Sequence, residues 1–319
     1  MTPFARRLLA AALAVLPALA AAQPYPTKPI RIVVSFTAGG TTDILARFLA
    51  QNLSDRYKQP VVVENKPGAG GNLGTELVVH SPPDGHTLLV GSVGPIAVNP
   101  SLKKLPYDPQ KDLVAVAQIA DVANVLVVHP SINVKTVKEF VDWAKANPDG
   151  VNYASTGVGT ASHLAGFMLA ARAGFNATHI PYKGAEALKD MLAGRTQYMF
   201  ATIPSVIQHI RAGNLVAIAV STPKRSRSLP DVPTVMENGF ELEAGSWFGL
   251  FAPKGTPAAV VAELNRATNE FLQEKAIEAR LVQEGADPVA ISPAEFAAFV
   301  AKETDKWRQV VKESGATGN

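Results

Sequence analysis

I-R-I-V-V-S-F-T-A-G-G-T-T-D, residues 30–43, is the stretch on which the reading of this chain turns. Ile30–Phe36 is an apolar, β-branched run of the kind buried on both faces of a parallel sheet. Gly39–Gly40 breaks it, and Thr41, Thr42 and Asp43 offer N-cap oxygens to a helix continuing through Leu45, Phe48, Leu49 and Leu53. A strand ending in a glycine turn at a helix start presents free N–H groups and the positive end of a helix dipole, which suits a carboxylate or phosphate. Thr37, Thr41 and Thr42 add hydroxyl donors. Taken alone, the stretch is an ordinary strand-to-helix turn before it is an anion site. It carries neither G-x-G-x-x-G nor G-x-x-x-x-G-K-[ST], so it lacks a nucleotide fingerprint.

The same construction recurs downstream. Val61–Asn65 reads as a strand followed by the glycine-rich loop 66–72, and Thr87–Gly91 as a third strand closing at Ser92-Val93-Gly94-Pro95. Strand ends at Phe36, Asn65 and Gly91 then share one sheet edge, where α/β proteins hold ligands. Val114–Ile119 and Val125–His129 are further strands, and Thr136-x-x-Glu139 is a capping box opening a helix. Val151–Ser155 leads into Thr156-Gly-Val-Gly-Thr-Ala-Ser-His163, a second glycine–hydroxyl loop, with a helix from Leu164. Ala177–Pro181, Tyr198–Ala201 and Val216–Val220 extend a second unit of parallel α/β type. Trp247–Ala252 is one more strand. The remainder reads as helical, with Pro257 at a first helical position and Ser292-Pro293-x-Glu295 capping a last helix whose Phe296, Phe299 and Trp307 belong to a core.

The chain has 319 residues, 47% hydrophobic and 18% charged, which describes a globular protein with a substantial core. Arg6 and Arg7, an apolar run from Leu8 to Leu19, and Ala20-Ala21-Ala22 form a secretory leader cleaved before Gln23. Of 30 basic and 27 acidic residues the leader removes two arginines, leaving 28 against 27 and a net charge of +1. That balance gives no footprint for nucleic acid, and the cluster Lys224, Arg225, Arg227 reads as solvated surface. Cysteine is absent, which excludes a lipid-anchoring cysteine and a disulfide framework. An exported protein free in solution is expected.

Catalytic signatures are few. There is no G-x-S-x-G, no H-E-x-x-H and no cysteine nucleophile. The six histidines (80, 86, 129, 163, 179 and 209) have no ligand spacing on one element, so neither a metal nor a cofactor is expected. Ser162–His163 could serve a secreted hydrolase, but adjacent side chains at a helix start point apart, and His163 reads better as a pocket or capping residue. Two facing glycine–hydroxyl loops fit capture of a small anion between closing domains.

Several segments carry a resemblance: V-V-S-F-T-A-G-G-T-T-D-I-L-A-R (33–47), V-V-V-E-N-K-P-G-A-G-G-N-L-G (61–74), P-P-D-G-H-T-L-L-V-G (82–91) and L-P-Y-D-P-Q-K-D-L (105–113). N-Y-A-S-T-G-V-G-T-A-S-H-L-A-G (152–166), H-I-P-Y-K-G (179–184), L-P-D-V-P-T-V (229–235) and S-W-F-G-L-F-A-P-K-G-T-P (246–257) continue it. In order and along the whole mature chain, the sequence resembles the Bug-type substrate-binding proteins of tripartite tricarboxylate transporters. The resemblance implies an α/β, type II periplasmic binding protein-like fold, two α/β domains joined by two crossover strands near Asn124–Val128 and Trp247–Phe251. Domain 1 is then 23–124 with 248–319, and domain 2 is 125–247. It implies a monomeric periplasmic receptor that passes a small organic carboxylate to membrane permease subunits; presentation to a sensor kinase is the alternative. Carried over by position, the ligand site is Phe36, Thr37, Ala38, Gly39, Thr42, Asp43 and Ser92 on one side. On the other it is Ser155, Thr156, Gly157, Gly159, Thr160, His163 and Ala201. Gly159 and Thr160 are expected to matter to binding and little to folding. Ser35 and Thr37 stand where many relatives have proline, Ala201 where many have aspartate, and Phe167 where many have glutamate. Missing acids leave an ammonium without a partner, which favours a dicarboxylate, aliphatic or aromatic, over an amino acid.

Overall fold

A computed structural model describes residues 25–314; the expected leader and its cleavage point lie outside them. The opening unit forms as its pattern dictates. β1 (Ile30–Val34) is buried except at Arg31, and α1 (Thr41–Tyr57) follows the glycine turn. β1 stops two residues before Phe36, because Ser35 and Phe36 bend away and the Phe36 carbonyl accepts from the Asn65 side-chain amide (3.0 Å). α1 is not capped by a threonine or aspartate oxygen. Its N-cap is Gly40, without a side chain, and Thr41 is already its first helical residue.

β2 (Val61–Asn65), α2 (Asn72–Val79) and β3 (Thr87–Ser92) complete a parallel trio around β1. β4 (Leu113–Val122) runs to the same edge, and after the single residue Ala123 the chain starts β5 (Asn124–Val128) in another sheet. That second sheet is built from β6 (Asn152–Ser155), β7 (Thr178–Pro181), β8 (Tyr198–Thr202) and β9 (Val216–Val220). Its helices are α3 (Val137–Ala146), α4 (Ala161–Ala173), α5 (Glu186–Leu192) and α6 (Ile203–Arg211). The chain returns to the first sheet as β10 (Ser246–Pro253).

With a last strand β11 (Ala286–Pro288), the order is β11-β4-β10-β3-β1-β2 in one sheet and β7-β6-β8-β5-β9 in the other. Both sheets are mixed, where the sequence suggested parallel ones. β10 lies antiparallel to β3 and β4, and β5 antiparallel to β8 and β9. The reason is the crossing itself: a strand arriving from the other unit enters at the edge facing it and must run away from that edge. The architecture is an α/β fold of two units linked by two crossings.

The C-terminal part is less uniform than its composition suggested. α7 (Ala258–Leu272) has Pro257 as its N-cap, in extended conformation (ψ 137°), not as its first helical residue. A break separates it from α8 (Lys275–Gln283), and β11 (Ala286–Pro288) then pairs with β4. α9 (Pro293–Ser314) opens on the expected reciprocal cap: Glu295 accepts from the Ser292 amide (2.8 Å) and its own N–H reaches Ser292 Oγ (3.3 Å). Phe296 and Trp307 are fully buried in an apolar cluster that continues through both units, from Val33 and Leu89 to Leu126, Phe140 and Tyr198. Of the basic cluster, Arg225 pairs with Glu237 (3.0 Å) and Arg227 with Asp287 (2.6 Å), so these arginines brace the loop instead of facing only solvent.

Candidate functional site

The carboxyl ends of β1 and β3 face those of β6 and β8 across a cavity of about 70 Å³, room for on the order of five water molecules. Its lining contains no Asp, Glu, Lys, Arg or His. Hydroxyls come from Thr41, Thr42, Ser92, Thr156, Thr160, Ser162, Thr202, Ser205 and Ser246, and apolar wall from Phe36, Leu188, Met199, Phe200, Val206 and Phe248. A larger groove on the crossover side is lined by Asp121, Arg227, Glu303 and Lys306. There the charges serve one another: Arg227 holds Asp287 and Lys306 holds Glu303 (3.4 Å).

The helices α1, α4 and α6 and the shorter α5 begin at the central cavity, and the first four N–H groups of a helix have no partner within it. In α1 the amides of Thr41, Thr42 and Asp43 are left open because Gly40 caps nothing. In α4 the Thr160 hydroxyl accepts from the His163 amide (3.3 Å) and donates to the Gly157 carbonyl (2.7 Å). The amides of Ala161 and Ser162 have no protein partner. In α6 the first amide, of Ile203, is taken by the Ala123 carbonyl, and Pro204 has none to give.

The two glycine loops spend their polar groups differently. In the first, Gly39 N–H donates to Asp43 Oδ2 (3.0 Å), which also receives Arg47 Nε (2.9 Å), while Asp43 Oδ1 accepts from Asn65 (3.0 Å). Burial alone would raise the Asp43 carboxyl. The Arg47, Gly39 and Asn65 donors outweigh it and hold the group below the usual carboxylate range. Thr37 N–H donates across the gap to the Lys183 carbonyl (3.2 Å). In the second loop Ser155 Oγ bonds His179 Nε2 (2.6 Å), and Gly159 N–H donates to His163 Nδ1 (3.2 Å). The His163 and His179 rings stack at 4.1 Å, with Tyr153 stacked against His179 at 4.7 Å. Burial pushes His163 down to about 4; burial and then the neighbouring His163 push His179 down to about 3. Both are neutral at ordinary pH.

The units touch backbone to backbone around the cavity. A Cβ on Gly70 would overlap the Val158 carbonyl, and one on Gly159 would overlap Asn99 Oδ1; a Cβ on Gly94 would come within 3.2 Å of the Gly159 carbonyl. Gly159 also sits at φ +78°, a conformation other residues rarely take. Thr41 and Thr202 join the units by a hydroxyl–hydroxyl bond of 2.7 Å.

Of the residues expected from sequence, Phe36, Thr42, Ser92, Thr156 and Thr160 line the cavity together. Thr37, Ala38, Gly39 and Asp43 do not line the cavity: Ala38 and Gly39 are exposed, Thr37 faces Lys183 of the second unit, and Asp43 is buried in its bonds to Gly39, Arg47 and Asn65. Ser155, Gly157, Gly159 and His163 form the under-layer of the second loop, and Ala201 is buried in the core behind it. Thr160, as the cap of α4, serves the fold as well as the cavity. Among the lining residues missed were Thr41, Ala161, Ser162, Thr202 and Ser205. The Thr202-Ile-Pro204 step, a hydroxyl before a helix-starting proline, was a usable signal for two of them. The Ser162–His163 pair is not a nucleophile and its base. Ser162 Oγ, buried, has no hydrogen-bond partner, and His163 Nδ1 is occupied by the Gly159 amide.

Residues 45–316 match the tripartite tricarboxylate transporter family receptor profile, TctC. The chain is 41% identical over 299 residues to protein BugT of Bordetella pertussis, covering 92% of each. An R. palustris protein solved with adipate shares 35% identity at a TM-score of 0.89, over 92% of this chain and 99% of that one. MatC of Rhodopseudomonas palustris, solved with bound malate, shares 33% identity at a TM-score of 0.85, over 90% and 100%. No helix among the described residues is long and apolar enough to cross a membrane. With a match of this extent laid over two α/β units and a cavity ringed by helix starts, the chain belongs to the tripartite tricarboxylate transporter receptor family, the Bug-type solute-binding proteins.

Proposed function

We propose that this protein is a monomeric periplasmic receptor that closes on a small dicarboxylate and delivers it to the permease subunits of a tripartite tricarboxylate transporter. The observation that carries the reading is the cavity wall: open helix amides and hydroxyls from both units, and no ionisable side chain. Helix starts stabilise an anion without a counter-charge, whereas an ammonium would meet no carboxylate there. The relatives solved with malate and with adipate bind small dicarboxylates, and a short apolar wall fits the methylenes between two carboxylates. Binding draws residues 125–247 onto residues 23–124 and 248–319 about the two crossings, with the leader cleaved after Ala22.

A thermal-shift panel tests the ligand class. Malate, succinate or adipate at a hundredfold excess over Kd stabilises the folded protein by about 2.7 kcal/mol. Aspartate at the same concentration leaves the transition in place. Stabilisation by aspartate alone would reverse the assignment.

A further inference from the structure

β3 runs on into a wide π-helical turn, Gly94–Val98, in which the Asn99 amide donates back to the Gly94 carbonyl. Turns of this kind are rare and frequent at functional sites. This one brings Gly94 and the Asn99 side chain to the same residue of the other unit. A Cβ on Gly94 would come within 3.2 Å of the Gly159 carbonyl, and a Cβ on Gly159 would stand 1.7 Å from Asn99 Oδ1. The Gly159 Cα hydrogen in that position therefore points at the oxygen.

The Asn99 carboxamide is fixed from its own unit. It is fully buried, and its Nδ2 donates to Asn72 Oδ1 (2.8 Å) and to the Gly70 carbonyl (3.3 Å). Tyr107 Oη donates to the same Asn72 oxygen (3.1 Å). Reversing the amide would set its oxygen against both acceptors, so Oδ1 is held toward Gly159. No protein donor reaches Oδ1. A buried acceptor is normally paired, and this one ends on a glycine of the second unit instead. Gly159 in turn donates its N–H to His163 Nδ1 in the first turn of α4 (3.2 Å), the turn that opens on the cavity.

We propose that Asn99 is a positioning residue that ties closure of the units to the start of α4: its anchored carboxamide is the seat on which Gly159 comes to rest. Through the Gly159–His163 bond, that seat sets the second loop against its helix. The inference rests on the closing-receptor reading above and adds the first-unit residue that meets the moving loop. Asn99 is not part of the cavity wall, so it acts through Gly159 and not on the ligand. Its contact crosses between the units, so it forms on closure and is absent from the open protein.

A double-substitution cycle reads this directly. Affinity for the tighter-binding of malate and adipate, and melting temperature without ligand, are measured for the unchanged protein, Gly159→Ala, Asn99→Ala and the pair. Gly159→Ala drives a methyl group into Asn99 Oδ1 and weakens binding by roughly a hundredfold. Asn99→Ala removes the seat and weakens it by roughly tenfold. In the pair the methyl group has room, and affinity returns to within about threefold of Asn99→Ala alone. Alanine at φ +78° is strained with or without ligand, so that strain is read in the melting temperature, where the two substitutions add. Asn99→Ser, which also withdraws the carboxamide, takes the place of Asn99→Ala should the latter fail to fold. Affinity losses that simply multiply in the pair overturn the inference, while ligand binding by the unchanged protein leaves the receptor reading standing. Equal coupling in the unliganded melting temperatures also overturns it, because the contact would then belong to the resting fold. If neither acid compacts the unchanged protein in small-angle scattering, the closing reading and the inference fall together.

Discussion

Two loops of similar composition meet at the cavity, and they treat the helix start behind them in opposite ways. The loop before α1 carries its own acid: Asp43 sits in the first turn, collects Gly39, Asn65 and Arg47, and partly answers the helix dipole from within. The loop before α4 carries none. It rests on two neutral histidines and leaves two amides and a hydroxyl open to the cavity. Glycines and hydroxyls therefore do not by themselves mark an anion site. What distinguishes the two is whether the protein has already supplied the anion. Both helix starts leave amides open, three at α1 and two at α4, but only the first sets an acid of its own beside them.

Replacing Gly159 by valine should break the comparison most violently. The added carbons collide with Asn99, and the backbone at φ +78° resists any side chain, so the units cannot complete their contact. Affinity for malate falls by more than about a hundredfold, equivalent to roughly 3 kcal/mol. Small-angle scattering shows the variant staying expanded at saturating ligand, while circular dichroism reports native secondary structure. Affinity within about threefold of the original would mean that this seam does not govern closure.

Acid sharpens the contrast next. His163 has its folded pKa at about 4, below the ordinary 6.5, so the unfolded chain binds the extra proton first as pH drops. The stability it contributes is complete above about pH 6.5 and is lost progressively toward pH 4, on the order of 3 kcal/mol in all. Melting temperatures between pH 7 and pH 4.5 should fall less steeply in His163→Asn than in the original protein. Parallel profiles would remove the buried ring as the cause.

The mildest effect should come from the first loop. Asp43→Asn keeps the shape and removes the charge, weakening the bonds from Gly39 and Arg47. Because Arg47 is half exposed, the loss of stability is about 1–2 kcal/mol, read by urea titration. Malate affinity moves by less than about threefold, since Asp43 does not line the cavity and its oxygens are bound to Gly39, Arg47 and Asn65. A large binding defect with unchanged stability would put the two loops back on equal terms.

Much of this was legible beforehand. The run Ile30–Phe36 with its glycine turn and the capping boxes at Thr136 and Ser292 are local patterns, and local physics writes them; the crossings near Asn124 and Trp247 came from the family resemblance instead. Strand direction was not, because β5 and β10 reverse only by virtue of coming from the other unit, a fact no window of sequence contains. β11 is three residues long and has no period to detect. Ser162 was visible as a residue but not as a donor: whether a second helical position faces a cavity or a neighbour depends on how α4 packs against its sheet. Ala201 shows the converse, since being next to Phe200 and Thr202 in sequence did not bring its own side chain to the cavity.

The backbone-to-backbone seam at Gly70, Gly94 and Gly159 has a consequence for how such a receptor can change its diet. Main-chain approaches such as Gly70 to the Val158 carbonyl and Gly94 to the Gly159 carbonyl cannot be trimmed by substitution, so they set a floor on how closely the halves approach. The rim is frozen for evolution, and the wall is where it is free. Exchanging Leu188, Met199 or Val206 for larger or smaller residues alters the length of acid that fits, while the stopping point of the jaws stays where the glycines set it.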